Sequence, residues 1–241
     1  MNNPRKKQIT EALKDQKEIF GDELFTTNSK KTKALYKSKK VNETEQDLFP
    51  VEKEAWETAA TLDELETKIN RCTNCVLHKG RNKFVFGSGN PNADVMVVGE
   101  GPGAEEDKQG LPFVGRAGKL LTDILKAINF ERTDVYIGNI VKCRPPDNRT
   151  PLPDEMETCL PYLKKQIEII KPKLILCLGL TAAKGLLNKR DSLTSMRGKV
   201  FEFENAKVMI TYHPAALLRN PNWKRPCWED LQKFKLLYNE L

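Results

Sequence analysis

An α/β fold, with a mostly parallel sheet covered on both faces, is what this 241-residue sequence predicts. Short runs rich in Val, Ile and Leu alternate along the chain with segments of helical apolar spacing. The runs are apolar at nearly every position, as strands buried on both faces must be. Gly, Pro and polar clusters separate them, and regular strand–helix alternation implies parallel pairing through crossovers. Ligands of such sheets bind beyond the carboxyl ends of the strands, so the residues after each strand are the candidates for chemistry.

The elements follow in order. From residue 62, LDELETKINRCTNC reads as an amphipathic helix running into a cysteine-bearing loop. Residues 93–99 (ADVMVVG) form a short apolar strand ended by Gly and Pro. Residues 118–130 (GKLLTDILKAINF) have helical spacing, 135–141 (VYIGNIV) are a second strand, and 154–170 a second long helix. LILCLG at 174–179 is a third strand, 181–187 a helix, KVMITY at 207–212 a fourth strand, and 228–238 a closing helix. No internal repeat interrupts this order.

Composition bounds the rest. Hydrophobic residues make up 39% and charged residues 30%, ordinary for a soluble protein. No run of about 18 apolar residues exists, so no transmembrane helix is expected. The first twenty residues lack the apolar stretch of a secretory signal, and their acidic residues argue against a transit peptide. A cytoplasmic location follows. The net charge is +7, yet residues 1–40 alone carry eleven Lys/Arg against five Asp/Glu, so the remainder is nearly neutral. Residues 1–61 therefore read as a basic, flexible extension with at most a short helix over 9–20, ahead of a domain spanning 62–241. Generic attraction to phosphates is compatible with that extension.

Six cysteines in a reducing compartment argue against structural disulfides. Cys72 and Cys75 make a Cys-x-x-Cys pair, Cys143 follows the second strand, and Cys159 lies sixteen residues on inside a helix. The proline-rich segment between the last two is stiff enough to hold distant thiolates. One pair plus a distant pair suits a four-thiolate site for zinc or for an iron–sulfur cluster, and spacing does not choose between them. Cys177, in an apolar strand, reads as core filling; Cys227 has no assignment.

Three strand-end loops stand out. The first carries Glu100, Gly101 and Glu106 within GEGPGAEEDKQGLPFVGRAG, with Phe113 ahead of a Gly-rich helix start. Pro102 and the acidic residues exclude a dinucleotide fingerprint, which needs GxGxxG opening directly into a helix. The second is NIVKCRPPDNRTP, from Asn139 to beyond Asn148. The third is YHPAALLRNP, where His213 follows a strand and precedes a proline-started helix.

In this order, and with the four cysteines, these blocks resemble the family 4 uracil-DNA glycosylases over residues 62–241. The resemblance implies a three-layer α/β/α sandwich with a four-stranded parallel central sheet, and a [4Fe-4S] cluster on Cys72, Cys75, Cys143 and Cys159. It implies hydrolysis of the N-glycosidic bond of a flipped-out uracil in DNA, the first step of base excision repair. Asn139 would read the base, Phe113 stack on it, and Glu106 fill the space thymine's methyl group needs. His213 would stabilise the departing uracil. Gly101 stands where the best-known glycosylase family has a water-activating Asp, so Asn148 and backbone carbonyls would place the water, with Glu100 supporting the loop. Leu217 and Leu218, with the segment from Arg219 and Asn220 on to Lys224, resemble the loop that enters the DNA minor groove and holds the gap left by the flipped base. Uracil-containing DNA is the expected partner of a monomeric chain. A non-catalytic DNA-binding module on the same fold, a glycosylase of broader base specificity and a zinc-stabilised hydrolase are the alternatives.

Overall fold

The computed structural model describes residues 54–241, which lie within one compact unit. The suggested helix over residues 9–20 and most of the basic extension lie outside the described residues. Residues ahead of 62 already pack on the domain: Ala59 is buried and the Trp56 ring meets Tyr162 edge-on at 5.0 Å.

In chain order the elements are α1 (Leu62–Ile69), β1 (Ser88–Gly89), β2 (Val95–Gly99), α2 (Ala104–Gln109), α3 (Arg116–Ala127), β3 (Val135–Asn139) and α4 (Pro153–Ile170). There follow β4 (Leu174–Leu178), α5 (Leu180–Leu187), α6 (Leu193–Met196), β5 (Val200–Phe203), β6 (Ala206–Thr211), α7 (Pro214–Arg219) and α8 (Lys224–Asn239). No described helix is long and apolar enough to cross a membrane.

The six strands form one sheet in the order β1-β3-β2-β4-β6-β5. Its four central strands are parallel, as expected; β1 and β5 add antiparallel edges that the sequence reading did not include. Both edges are short, and β5 is only partly buried, so neither carries the continuous apolar run that marks the inner strands. Successive side chains of the inner strands point to opposite layers. Val95 and Val97 of β2, with Leu174, Leu176 and Leu178 of β4, pack against α3, α7 and α8. Met96 and Val98, with Ile175 and Cys177, face the layer of α1, α4 and α5. Cys177 is thus core, and Cys227 joins the opposite layer beneath Thr211.

The predicted strand over 135–141 stops at Asn139. Ile140 and Val141 continue along the same neighbour, donating their N–H groups to the carbonyls of Gly99 and Glu100. The closing helix begins at Lys224, four residues earlier than its apolar pattern suggested, with Pro226 in its first turn where a missing N–H is harmless.

The start of α3 is seated directly on the backbone of Phe113. A Cβ at Gly118 would lie 1.9 Å from the Phe113 carbonyl oxygen. Helix propensity alone would favour Ala over Gly by about 1 kcal/mol, whereas overpacking costs about 1–3 kcal/mol, and more against rigid backbone. Gly118→Ala is therefore expected to lower the urea midpoint of unfolding, and a rise would contradict this packing.

Candidate active site

Gly99 and Asn139 end adjacent parallel strands and face each other in register. A Cβ at Gly99 would come within 2.5 Å of Asn139 Oδ1 and 2.6 Å of Phe113 Cζ, so glycine is what lets the amide and the ring close over the strand end. Asn139 is buried, and among the described residues its Oδ1 is the one buried side-chain polar atom without a hydrogen-bond partner. Leaving such a group unpaired costs about 1–3 kcal/mol. Its backbone is held from behind. The Asn139 carbonyl accepts from Lys142 Nζ at 3.1 Å, and the same ammonium donates to Gln166 Oε1 at 2.6 Å. Gln166 in turn donates to the Phe86 carbonyl and the Tyr136 hydroxyl. Lys142 is fully buried, and burial lowers its pKa to about 8.

Asn139 opens into a cavity of about 450 Å³ lined by the ends of β2, β3 and β6 and their loops. Glu100, Gly101, Glu106, Phe113, Asn148, His213 and Arg219 all line it with Asn139. Residues 113 apart and more in sequence are thereby gathered at one end of the sheet.

Phe113 takes a left-handed backbone conformation with φ of 52°. For a bulky residue this costs about 1–3 kcal/mol and persists only where the surroundings enforce it. Here Glu106 enforces it, its Oε1 accepting the N–H groups of Val114 and Gly115 at 2.9 Å each. The Arg132 guanidinium donates to the carbonyl of Pro112 from the other side. The Phe113 ring lies 5.6 Å from that of His213, at 33°.

His213 caps α7. Its Nδ1 accepts the N–H of Ala215 at 3.1 Å, which leaves the ring proton on Nε2. Burial, with a smaller effect of the Arg219 cation and opposed by Glu106, lowers the pKa from 6.5 to about 4. At neutral pH the ring is an uncharged donor.

The proline-rich loop closes the other wall. Asp147 and Asn148 are both left-handed, with φ of 53° and 55°. Arg149 pairs through both guanidinium nitrogens with the buried Glu155, at 2.7 and 2.8 Å, and Glu155 also accepts the Leu152 N–H. Those contacts, the Arg149 hydrogen bonds first, hold the Glu155 carboxyl below its usual range. Asn148 Oδ1 accepts from Arg144 Nε at 2.8 Å, so the acceptor end of this amide is already engaged. A Cβ at Gly101 would come 2.6 Å from Val141 Cγ2, so a larger residue there requires the loop to shift.

At the rim, Leu218, Arg219 and Asn220 are exposed. Leu217 corrects the sequence expectation: it is only 2% exposed and packs in the core with α8, so it is not available to a duplex. The helical spacing explains this, since α7 turns one of its two adjacent leucines inward.

Cys72, Cys75, Cys143 and Cys159 line a second, small cavity together with Arg81 and Tyr162. Arg81 Nη1 donates to Cys143 Sγ at 3.2 Å, and the Lys142 N–H lies 3.4 Å from Cys159 Sγ. Burial raises the thiol pKa values of Cys75, Cys143 and Cys159, that of Cys159 to about 12. Among the described residues no three His, Cys, Asp or Glu side chains stand close enough to grip a single metal ion.

Sequence reasoning missed Gly99, Lys142, Gln166 and the Arg149–Glu155 pair. Lys142 alone left a signal, a charged residue inside the apolar stretch before Cys143.

Comparison with known proteins places these features in context. A family-wide sequence model described as the Uracil DNA glycosylase superfamily matches residues 86–232. A Type-4 uracil-DNA glycosylase of Pyrobaculum aerophilum is 47% identical over 181 residues, covering 72% of this chain and 92% of that protein. The Type-4 uracil-DNA glycosylase of Archaeoglobus fulgidus is 45% identical over 181 residues, covering 72% and 91%. That of Thermotoga maritima is 46% identical over 178 residues, covering 72% and 93%.

The histidine environment has a direct readout. A folded pKa below the ordinary one means that stability contributed by the neutral ring is present above pH 6.5 and is lost as pH falls toward 4. Nitrogen-15 NMR of the ring is expected to find His213 neutral at pH 6, protonated on Nε2, and titrating near pH 4. Titration near 6.5 would contradict this environment.

Proposed function

The chain belongs to the uracil DNA glycosylase superfamily, and on that premise we propose that it is a type-4 enzyme that hydrolyses the N-glycosidic bond of a flipped-out uracil in DNA. The observation that carries this reading is the unpaired Oδ1 of Asn139, buried beside Phe113 in the cavity. Uracil N3–H is a donor suited to that acceptor, and the amide NH2 reaches uracil O4 in the same plane. Cytosine presents an acceptor at N3 and a donor at N4, so it would set like against like and leave buried groups unpaired. Phe113 stacks on the base. Glu106, tied down by two backbone N–H groups, supplies the fixed wall against thymine's methyl group.

Extracting the base costs a few kcal/mol, least at a mispair. The C1′–N1 bond then breaks with its electron pair leaving on uracil, and positive charge builds on the sugar. Nε2–H of the neutral His213 donates to uracil O2 as negative charge grows there, and a preorganised donor of this kind contributes about 3–4 kcal/mol. Water adds to C1′ and releases its proton, giving an abasic site and free uracil. Asn148, Glu100 and the backbone around Gly101 border the space where that water is held. With its Oδ1 taken by Arg144, Asn148 acts there through its NH2, and backbone carbonyls supply the acceptors. Leu218, Arg219 and Asn220 face the duplex and hold the gap left by the base.

The four cysteines fit a [4Fe-4S] cluster by donor chemistry. Four sulfurs border one cavity, and N–H groups of Arg81 and Lys142 approach two of them. Cys72, Cys75, Cys143 and Cys159 would hold the cluster as thiolates, and it would link the loop after α1 to the segment after β3 and to α4. Six free cysteines accord with a reducing, cytoplasmic setting, and we read the chain as a monomer acting on uracil-containing DNA.

The test is base release from an oligonucleotide with one U·G mismatch, followed by alkaline cleavage. Asn139→Ala and His213→Ala are each expected to lower the single-turnover rate about 100-fold or more while DNA affinity stays near wild type. Intact, DNA-binding wild-type protein that releases no uracil would favour the binding-module alternative. Colourless protein carrying zinc would overturn the cluster assignment.

A further inference from the structure

A second aromatic site lies one turn beyond the rim of the cavity. The 3-10 turn Pro221–Trp223 joins α7 to α8, and the Trp223 ring stacks on Tyr212 with centroids 5.0 Å apart and planes at 19°. The Arg197 guanidinium lies over the same tyrosine ring, 5.0 Å from its centroid. Arg197 is itself fixed: Nε pairs with Asp230 at 3.0 Å, and the guanidinium donates to the Pro226 carbonyl. Asp230 is buried and accepts from Thr211 Oγ1 at 2.9 Å. A column of anchored groups thus runs from the core through Tyr212 to Trp223.

The end of this column is open to solvent. Trp223 keeps 40% of its surface exposed, although stacking covers part of the ring, and Leu218 nearby is also 40% exposed. Lys224 and Arg225 follow it and Arg219 precedes it, all exposed. The Trp223 backbone N–H donates to the Asn220 carbonyl at 3.1 Å, which ties the turn to the rim, while the stack on Tyr212 orients the ring. An exposed, immobilised aromatic face ringed by cations is the combination that single-stranded nucleic acid recognises, since every base offers a π-face and every linkage a negative charge. Packing alone does not require an indole at this exposed end.

We propose that the exposed surface of Trp223 is a stacking platform for an unpaired nucleobase flanking the uracil, giving the enzyme a grip on single-stranded DNA. The proposal extends the reading of the cavity as a site for a base flipped out of DNA. Its test needs no catalysis. The probe is a short uracil-free oligothymidylate at fixed salt. In the Trp56→Phe/Trp228→Phe background Trp223 is the one remaining tryptophan of the three in the chain. Its emission is expected to be quenched on binding.

In the otherwise unaltered chain, Trp223→Ala is expected to weaken oligothymidylate binding about tenfold. Trp223→Leu, which keeps an apolar cover over Tyr212, should lose as much, and Trp223→Phe should recover most of the affinity. Binding by the Ala and Leu variants within twofold of wild type, or unquenched emission at saturation, would overturn the platform. That failure leaves the glycosylase reading standing. A wild type that shows the quenching yet releases no uracil fells the glycosylase reading alone.

Discussion

A buried amide oxygen with nothing to bind is a deficit that a folded protein tolerates only where something else completes it, and Asn139 Oδ1 is such an atom. Much of the surrounding architecture serves to hold it in place. The register of β2 against β3 sets Asn139 opposite Gly99, where even a methyl group would collide with the amide and with Phe113. Behind the strand, the fully buried Lys142 grips the Asn139 carbonyl and is itself satisfied by Gln166. Burying an ammonium among neutral oxygens costs several kcal/mol unless its hydrogen bonds are good, so this arrangement stabilises one backbone position at considerable expense elsewhere. The amide is rigid before any ligand arrives, which is the condition for reading a base by the polarity of its hydrogen bonds.

The walls of the cavity follow the same logic. Phe113 is held in a left-handed conformation that Asp147 and Asn148 share; Glu106 pins the residues after Phe113, Arg144 holds the Asn148 amide, and the Arg149–Glu155 pair ties down the chain that follows. Strain confined to one end of a sheet and enforced from several elements marks a preorganised site. His213 adds an electrostatic counterpart. Its tautomer is set by a backbone N–H and its charge is suppressed by burial, so it offers a neutral donor where an anion would develop. The same residue heads α7, whose far end leads to the cationic, aromatic rim around Trp223. The candidate histidine and the proposed nucleobase platform thus lie on one continuous segment.

The inner sheet was legible because its parallel strands are short, largely apolar runs: VMVVG, VYIGN and LILCL are buried at every position, and AKVMIT at all but Lys207. Edge strands β1 and β5 were not, since two residues of Ser-Gly and a half-exposed VFEF carry no such run. The cavity residues were legible as motif blocks at strand ends, and the fold brings Glu100, Phe113, Asn139, Asn148 and His213 to one cavity. What supports them was hidden. Gln166 and Glu155 look like surface residues of an amphipathic helix, yet both are fully buried because they satisfy Lys142 and Arg149, contacts between distant segments that no local pattern encodes. Leu217 and Leu218 are equal in sequence, and only the packing of α7 against α3 and α8 separates the buried one from the exposed one.

The central claim is that the polarity of one amide decides which base is cut, and Asn139→Asp tests it most directly. A carboxylate replaces the donor toward uracil O4 with an acceptor, which suits the exocyclic amine of cytosine, as Asp does when it reads that group in DNA grooves. Base release would be measured on matched oligonucleotides carrying a single uracil or a single unpaired cytosine. The account expects uracil release to fall about 100-fold or more, with cytosine release rising above the wild-type background. Retained uracil release, with no gain on cytosine, would contradict it and place base selection elsewhere in the cavity.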